Sequence, residues 1–285
     1  MKILIIGSKG MLAKAVIEKF KIGNNLTCID KEELDITDKA ATLNFIAQLK
    51  PDCIINCAAY TAVDKAEEEK ELARQVNAVG PLNISIAAKE ANSIFVHIST
   101  DYVFDGSKEL SGEYTETDET NPITVYGDTK AEGEKYVIEN CTKYYIYRTA
   151  WLYGDGNNFV RTMVKLGKEK EEVNVVDDQY GSPTYTEDLA DIIKQAIDKK
   201  IPYGIYHATN LGFTTWYEFT KDIFQLEHIE CKVNPVTSKE FIRPAKRPNN
   251  SKLSKEKILK EGIIIPEYRD ALKRFLKKEG QKNEE

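Results

Sequence analysis

"MKILIIGSKGMLAKAVIEKF", residues 1–20, is the stretch whose reading decides the fold. "KILII" is a continuous apolar run of strand length, too apolar for a strand with one wet face, and it stops at Gly7. From Met11 to about Ile22 the apolar positions Leu12, Val16, Ile17 and Phe20 recur at helical spacing. A strand that feeds a helix through a glycine turn lets the backbone approach a pyrophosphate, whose charge is favoured at the helix N-terminus. Gly7, Gly10, Met11 and Leu12 are therefore candidates for holding a dinucleotide. The spacing is Gly-x-x-Gly-x-x-Ala rather than Gly-x-Gly-x-x-Gly, and Ala13 still permits close packing of helix on strand. Two glycines after a strand also suit a plain tight turn; their place at the first strand-to-helix junction favours the cofactor.

Outward from this unit the same rhythm repeats. "LTCI" ends at Asp30, where an acid contacts an adenosine ribose, although a turn or cap role fits equally. Lys31 could accept a ribose 2′-phosphate, so the pair does not choose between NADH and NADPH. Asp35 and Ile36, just beyond, could contact the adenine. Thr37 or Asp38 can cap a helix running to Lys50, closed by Pro51. "CIINCAA", a long helical region from about Lys70 to Ala91, "SIFVHIS", a helix over 124–140 and "YYIYR" follow. Buried strands alternating with helices predict an α/β fold, a Rossmann-type doubly wound parallel sheet covered on both sides. After Trp151 the rhythm loosens, with strands near 173–176, 203–207 and 232–236 and helices near 186–199 and 215–226. We expect an NAD(P)-binding domain over 1–150, with some later segments returning to it. Residues 151–285 then form a smaller mixed α/β substrate-binding part, with a disordered polar tail after about Lys278.

The chain has 285 residues, 41% of them hydrophobic, enough for a substantial core. A net charge of −6 with interspersed Lys and Glu argues against nucleic acid or an anionic membrane as partner. No apolar run approaches the length of a membrane span. Cys28, Cys53, Cys57, Cys141 and Cys231 form no Cys-x-x-Cys pair and read as reduced, mostly buried thiols of a cytoplasmic protein. His97, His207 and His228 lie far apart without ligand spacing, so no metal site is expected.

"YGDTK", residues 126–130, places Tyr126 and Lys130 on one helical face. Alone, such a pair is usually an exposed surface; here it follows "HISTDYVFDG", whose Thr100 ends a strand at the edge where open α/β sheets bind ligands. Ketone reduction needs a hydride and a proton. A phenol with an ordinary pKa near 10 is a poor donor unless its anion is supported. An ammonium about 4 Å away at an effective dielectric of about 20 is worth about 4 kcal/mol, enough to bring a phenol toward working pH. Thr100 can donate to the carbonyl oxygen as charge develops.

Seven segments then occur in one order: the glycine turn, "NCAAYTAVDKAE" (56–67), "VNAVGP" (76–81), "HISTDYVFDG" (97–106), "VYGDTKAEGE" (125–134), "RTAWLYG" (148–154) and "DQYGSPTY" (178–185). In these the chain resembles the extended short-chain dehydrogenase/reductase family, from Lys2 to about Leu253. The resemblance implies Tyr126, Lys130 and Thr100 as catalytic residues and NADPH or NADH as cofactor. The implied reaction is reduction of the C4 ketone of a dTDP-linked deoxysugar in polysaccharide biosynthesis. It places Ala59, Tyr60 and Thr61 at a strand-end turn beside the dinucleotide ribose, with Ile98 also beside the cofactor. Asp101 and Trp151 match substrate contacts, the indole offering a flat apolar face to a deoxysugar. Arg247, with Arg243 and Lys246 in "RPAKRPNNS", suits a nucleotide diphosphate. Some members bind magnesium between subunits through glutamates; the matching first-helix position here is Ala15, with Glu187 matching another, so magnesium is not assigned and a homodimer is left open. Alternatives are an epimerase or other nucleotide-sugar reductase on the same fold, or a non-catalytic nucleotide-binding regulatory subunit. A dehydratase is disfavoured because Asp101 is followed by Tyr102 rather than by a second acid.

Overall fold

A computed structural model describes residues 1–282. Five strands form in the first half: β1 (Lys2–Ile6), β2 (Asn25–Ile29), β3 (Cys53–Asn56), β4 (Ile94–Thr100) and β5 (Tyr144–Thr149). They pair in the order β5-β4-β3-β1-β2, and the later strand Gly204–His207 adds beside β5, every pairing parallel. The apolar runs are explained by burial on both faces. Ile3 and Ile5 pack with the helices Met11–Phe20 and Thr186–Lys199, while Leu4 and Ile6 pack with Lys39–Leu49, Gly80–Glu90 and Val125–Asn140.

The chain enters at β1, moves to the edge at β2 and returns to β3 on the other side of β1. The strand order thus reverses between β1 and β3, where open α/β sheets leave a crevice at their carboxyl ends. Asp38 caps Lys39–Leu49 through the Ala41 N–H, and Thr124 caps Val125–Asn140 through the Gly127 N–H. The helical region from Lys70 is not one regular helix. A π-helical turn, Gln75–Val79, separates Lys70–Arg74 from Gly80–Glu90.

A third core gathers Tyr153, Val160, Phe219, Ile223, Leu272 and Phe275 in the C-terminal part. There Lys232–Val236 pairs in parallel with Glu172–Val176, and two further pairings are only two residues long. The last helix, Tyr268–Lys282, runs past Lys278, where the polar tail was expected to lose order. Leu272, Phe275 and Leu276 anchor it in that core; residues 283–285 of the expected tail lie outside the described residues. Among the described residues no disulfide forms, but only Cys53 and Cys141 are fully buried, and Cys28 is exposed because β2 is an edge strand.

Candidate active site

The turn after β1 needs its glycine twice over. Gly7 has φ +77°, and a Cβ there would lie 2.7 Å from the Ala58 nitrogen. Gly7 and Ser8 donate to the Ile29 oxygen at 2.9 and 3.0 Å, and Gly10 donates to the Gly7 oxygen at 3.0 Å. Gly10 caps the helix Met11–Phe20 with no side-chain bond to its first N–H groups, which leaves a helix N-terminus at the sheet crevice. A backbone cradle that a Cβ would fill, beside an uncapped helix start, fits a dinucleotide pyrophosphate.

A cleft of about 400 Å³ opens from this turn along the carboxyl edge of β3, β4 and β5. Gly10, Met11, Leu12, Ala59, Thr61, Ile98, Thr100, Asp101, Tyr126, Lys130 and Trp151 all line it. Six other candidates do not. Gly7 lies under the turn, and Asp30 accepts the Lys9 and Lys31 N–H groups at 3.0 and 2.8 Å, bracing it. Burial pushes the Asp30 carboxyl up, but those N–H groups prevail and hold it below its usual value. Asp35 accepts from the Thr37 N–H and hydroxyl at 3.0 and 2.7 Å. The Ile36 side chain belongs to the core, against Gly80, so it cannot stack on an adenine, and its backbone oxygen accepts from Asn83 Nδ2 at 2.9 Å. The Tyr60 phenol turns outward to donate to Glu69 at 2.5 Å. Asn77 holds the Tyr60 backbone at both ends, accepting from its N–H at 2.8 Å and donating to its oxygen at 3.1 Å. Arg247 sits beyond the cleft, as described below.

Helix Val125–Asn140 is pressed onto this edge through its glycines: a Cβ at Gly127 would fall 2.1 Å from the Tyr102 oxygen, and at Gly133 2.2 Å from the Asn77 oxygen. Lys130, 2% exposed, donates to the Ile98 oxygen at 2.6 Å. Burial pulls its ammonium down to about 8, opposed by Glu134 one turn along. Glu134 is itself paired with Arg148 at 2.7 Å and accepts from Ser99 at 2.5 Å.

The charge effect expected on the phenol is not what the structure has. Burial pushes Tyr126 up to about 12; Thr100 lowers it by hydrogen bonding and Asp101 raises it further, with Lys130 not among the causes. Desolvation of the buried phenol decides the direction. Thr100 donates to Asp101 at 3.0 Å and accepts from the Tyr102 N–H at 3.2 Å. Burial raises Asp101 to about 6, against the hydroxyls of Ser251 and Thr100.

Trp151 takes φ +48°, uncommon for so large a residue, and stacks on Trp216 with ring centroids 3.7 Å apart. Gly181 makes room for it: a Cβ there would lie 2.7 Å from the Trp151 ring. Beyond this stack, past a constriction lined by Asp101, Tyr102 and Arg247, lies a groove of about 740 Å³ that includes Phe159, Val175, Trp216, Arg243 and Arg247. Arg247 is bound bidentately to Asp64, Nη2 donating at 3.1 Å and Nη1 to the other oxygen. Lys246 is exposed and lines neither cavity.

Sequence reasoning assigned nothing to Asn77, Asp64 or Trp216. The only signal for Trp216 is that the chain has two tryptophans; Asp64 and Asn77 act through partners distant in sequence. Glu187, the position weighed for magnesium, pairs with Lys278. Among the described residues no group of three or more His, Cys, Asp or Glu could hold a metal, and no helix is long and apolar enough to cross a membrane.

A doubly wound parallel sheet with a hydroxyl, a phenol and an ammonium at its carboxyl edge is the arrangement of the short-chain dehydrogenase/reductase class. The chain belongs to the family of the RmlD substrate binding domain, whose family model matches residues 1–280. It is 38% identical to the dTDP-4-dehydrorhamnose reductase of Escherichia coli K12, over 97% of each chain. A solved dTDP-4-dehydrorhamnose reductase from Clostridium acetobutylicum superposes with TM-score 0.94 at 47% identity, over 97% of this chain and 99% of that one. Another, from Bacillus anthracis in complex with NADP, gives TM-score 0.93 at 40% identity with the same coverage.

Proposed function

We propose that this chain is a dTDP-4-dehydrorhamnose reductase, reducing the C4 ketone of dTDP-4-dehydro-6-deoxy-L-mannose with NADPH to give dTDP-L-rhamnose. The observation that carries the reading is that Thr100, Tyr126 and Lys130 line one cleft with the uncapped helix start at Gly10–Leu12. Gly10, Met11 and Leu12 hold the pyrophosphate; Ala59, Thr61 and Ile98 flank the rest of the dinucleotide, with Lys130 toward its ribose. When bound, the reduced nicotinamide supplies the hydride.

The residues of the chain manage the proton and the developing charge. A phenol pushed up to about 12 keeps its proton throughout the neutral range, which suits Tyr126 to donate rather than to accept. As the ketone oxygen gains charge it becomes the stronger base, and Tyr126 delivers its proton to that oxygen. The Thr100 hydroxyl, held by the Tyr102 N–H, turns its single proton from Asp101 to the same oxygen. The Lys130 ammonium offsets the phenolate left behind. Trp151, braced on Trp216, offers the part of its indole that lines the cleft to the deoxysugar, Asp101 accepts from a sugar hydroxyl, and Arg247 receives the diphosphate. The nucleoside occupies the groove beside Phe159 and Trp216.

This enzyme works in the cytoplasm, as the free cysteines suggested, and feeds rhamnose into a polysaccharide. Incubation with enzymatically made dTDP-4-dehydrorhamnose and NADPH tests the reading. Stoichiometric NADPH oxidation with dTDP-L-rhamnose as product is expected, and no turnover with NADPH or NADH would refute it.

A further inference from the structure

Asp64 sits on the short helix Val63–Ala66, directly after residues that line the cofactor side of the cleft. Nothing in its local sequence gives it a task. Yet one segment, residues 243–247, reaches across from the C-terminal part and places three of its groups on this single carboxylate. The Ala245 N–H donates to Oδ1 at 3.2 Å, Arg247 grips both oxygens, and Arg243 lies 3.9 Å from Oδ2. Arg247 also donates to the Ala245 oxygen at 2.6 Å, which folds the segment into a compact strap. The Arg247 guanidinium holds the Asp64 carboxyl below its usual range, so it is charged whenever the strap is in place.

A bidentate, charge-assisted grip of this kind is the geometry by which arginine also binds phosphate. Arg243 and Arg247 line the groove beside the active cleft, and Arg247 lines the constriction joining the two. We propose that Asp64 occupies the place of a substrate phosphate. It holds the arginine strap across the mouth of the site, and a nucleoside diphosphate binds by taking the arginines from it. The inference rests on the reading above that Arg247 receives the diphosphate. A diphosphate brought to Arg247 while Asp64 remains bound would set like charges side by side in a half-buried place, and this repulsion is relieved when the carboxylate lets go. Asp64 thereby determines specificity. Ligands able to compete for the two arginines open the strap, and ligands lacking phosphate do not.

Three probes, thymidine diphosphate, thymidine and NADPH, titrated calorimetrically against the whole chain, test this. In Asp64→Asn the side chain keeps its shape and loses its charge. Thymidine diphosphate should bind about three- to tenfold more tightly, the range of a partly exposed, charge-assisted pair. Thymidine and NADPH affinities should stay within about twofold, the latter reporting an intact fold. In an Arg247→Met background, Asp64→Asn should yield little further gain. Unchanged or weaker binding of thymidine diphosphate by Asp64→Asn would overturn the proposal, as would equal tightening of thymidine. A different result tests the reading beneath it: if Arg247→Met alone leaves thymidine diphosphate affinity unchanged, Arg247 does not receive the diphosphate.

Discussion

In the proposed reaction Tyr126 holds its proton until the ketone oxygen becomes basic enough to take it, and burial at the end of a packed helix suits it to this. Replacing it by phenylalanine removes only the hydroxyl, so the ring still packs against Tyr102 and NADPH affinity should change little. Turnover should fall by roughly 10²–10⁴-fold, the usual contribution of a positioned acid, in steady-state assays of the keto-sugar. The charged neighbours set the pH limits. Lys130, pulled down to about 8, loses its charge as pH rises through that value; Asp101, pushed up to about 6, loses its charge as pH falls through that value. A bell-shaped kcat/KM profile with limbs near these values is expected, and Asp101→Asn should remove the acid limb. A profile flat from pH 5 to 9 would show that neither charge matters. That Thr100, Tyr126 and Lys130 could share one site was legible from a strand end, a helical spacing and the family resemblance, and the three do line one cleft. The direction of the shift on Tyr126 was not, because desolvation depends on what packs around the phenol and not on its distance along the chain from a lysine.

At the scale of the element, apolar runs and caps located most strands and helices, since each strand of a parallel sheet is buried on both faces. The π-helical turn at Gln75–Val79 had no visible signal in the pattern, and its reason is tertiary. It brings Asn77 to the Tyr60 backbone and to Thr129 at 3.2 Å, joining the cofactor-side loop to the helix that carries Tyr126. Gly133 is where that helix meets the turn, and a Cβ would lie 2.2 Å from backbone. Gly133→Ala should therefore cost about 1–3 kcal/mol through overpacking, outweighing the gain in helix propensity. Urea unfolding measures it; a stabilised variant would mean the turn and helix are free to separate.

Across the whole molecule, the sheet was readable from the first strand-turn-helix unit, and the closing of the site was not. Arg247 was singled out for its charge, but its partner Asp64 lies 183 residues earlier, and no local pattern links the two segments. The same distance hid the stacking of Trp216 on Trp151, which makes one aromatic wall from two separate elements. The Arg247–Asp64 contact ties the C-terminal part to the short helix after β3, beside the cleft that holds Tyr126. An epimerase on this fold would return its hydride to the sugar, whereas the reductase gives it up for good. NADPH deuterated on the transferred face of its nicotinamide C4, turned over with dTDP-4-dehydrorhamnose, separates the two most directly. The account predicts one deuterium at C4 of the rhamnosyl product for each NADPH consumed; a product without deuterium, or sugar conversion with no net loss of NADPH, would contradict it.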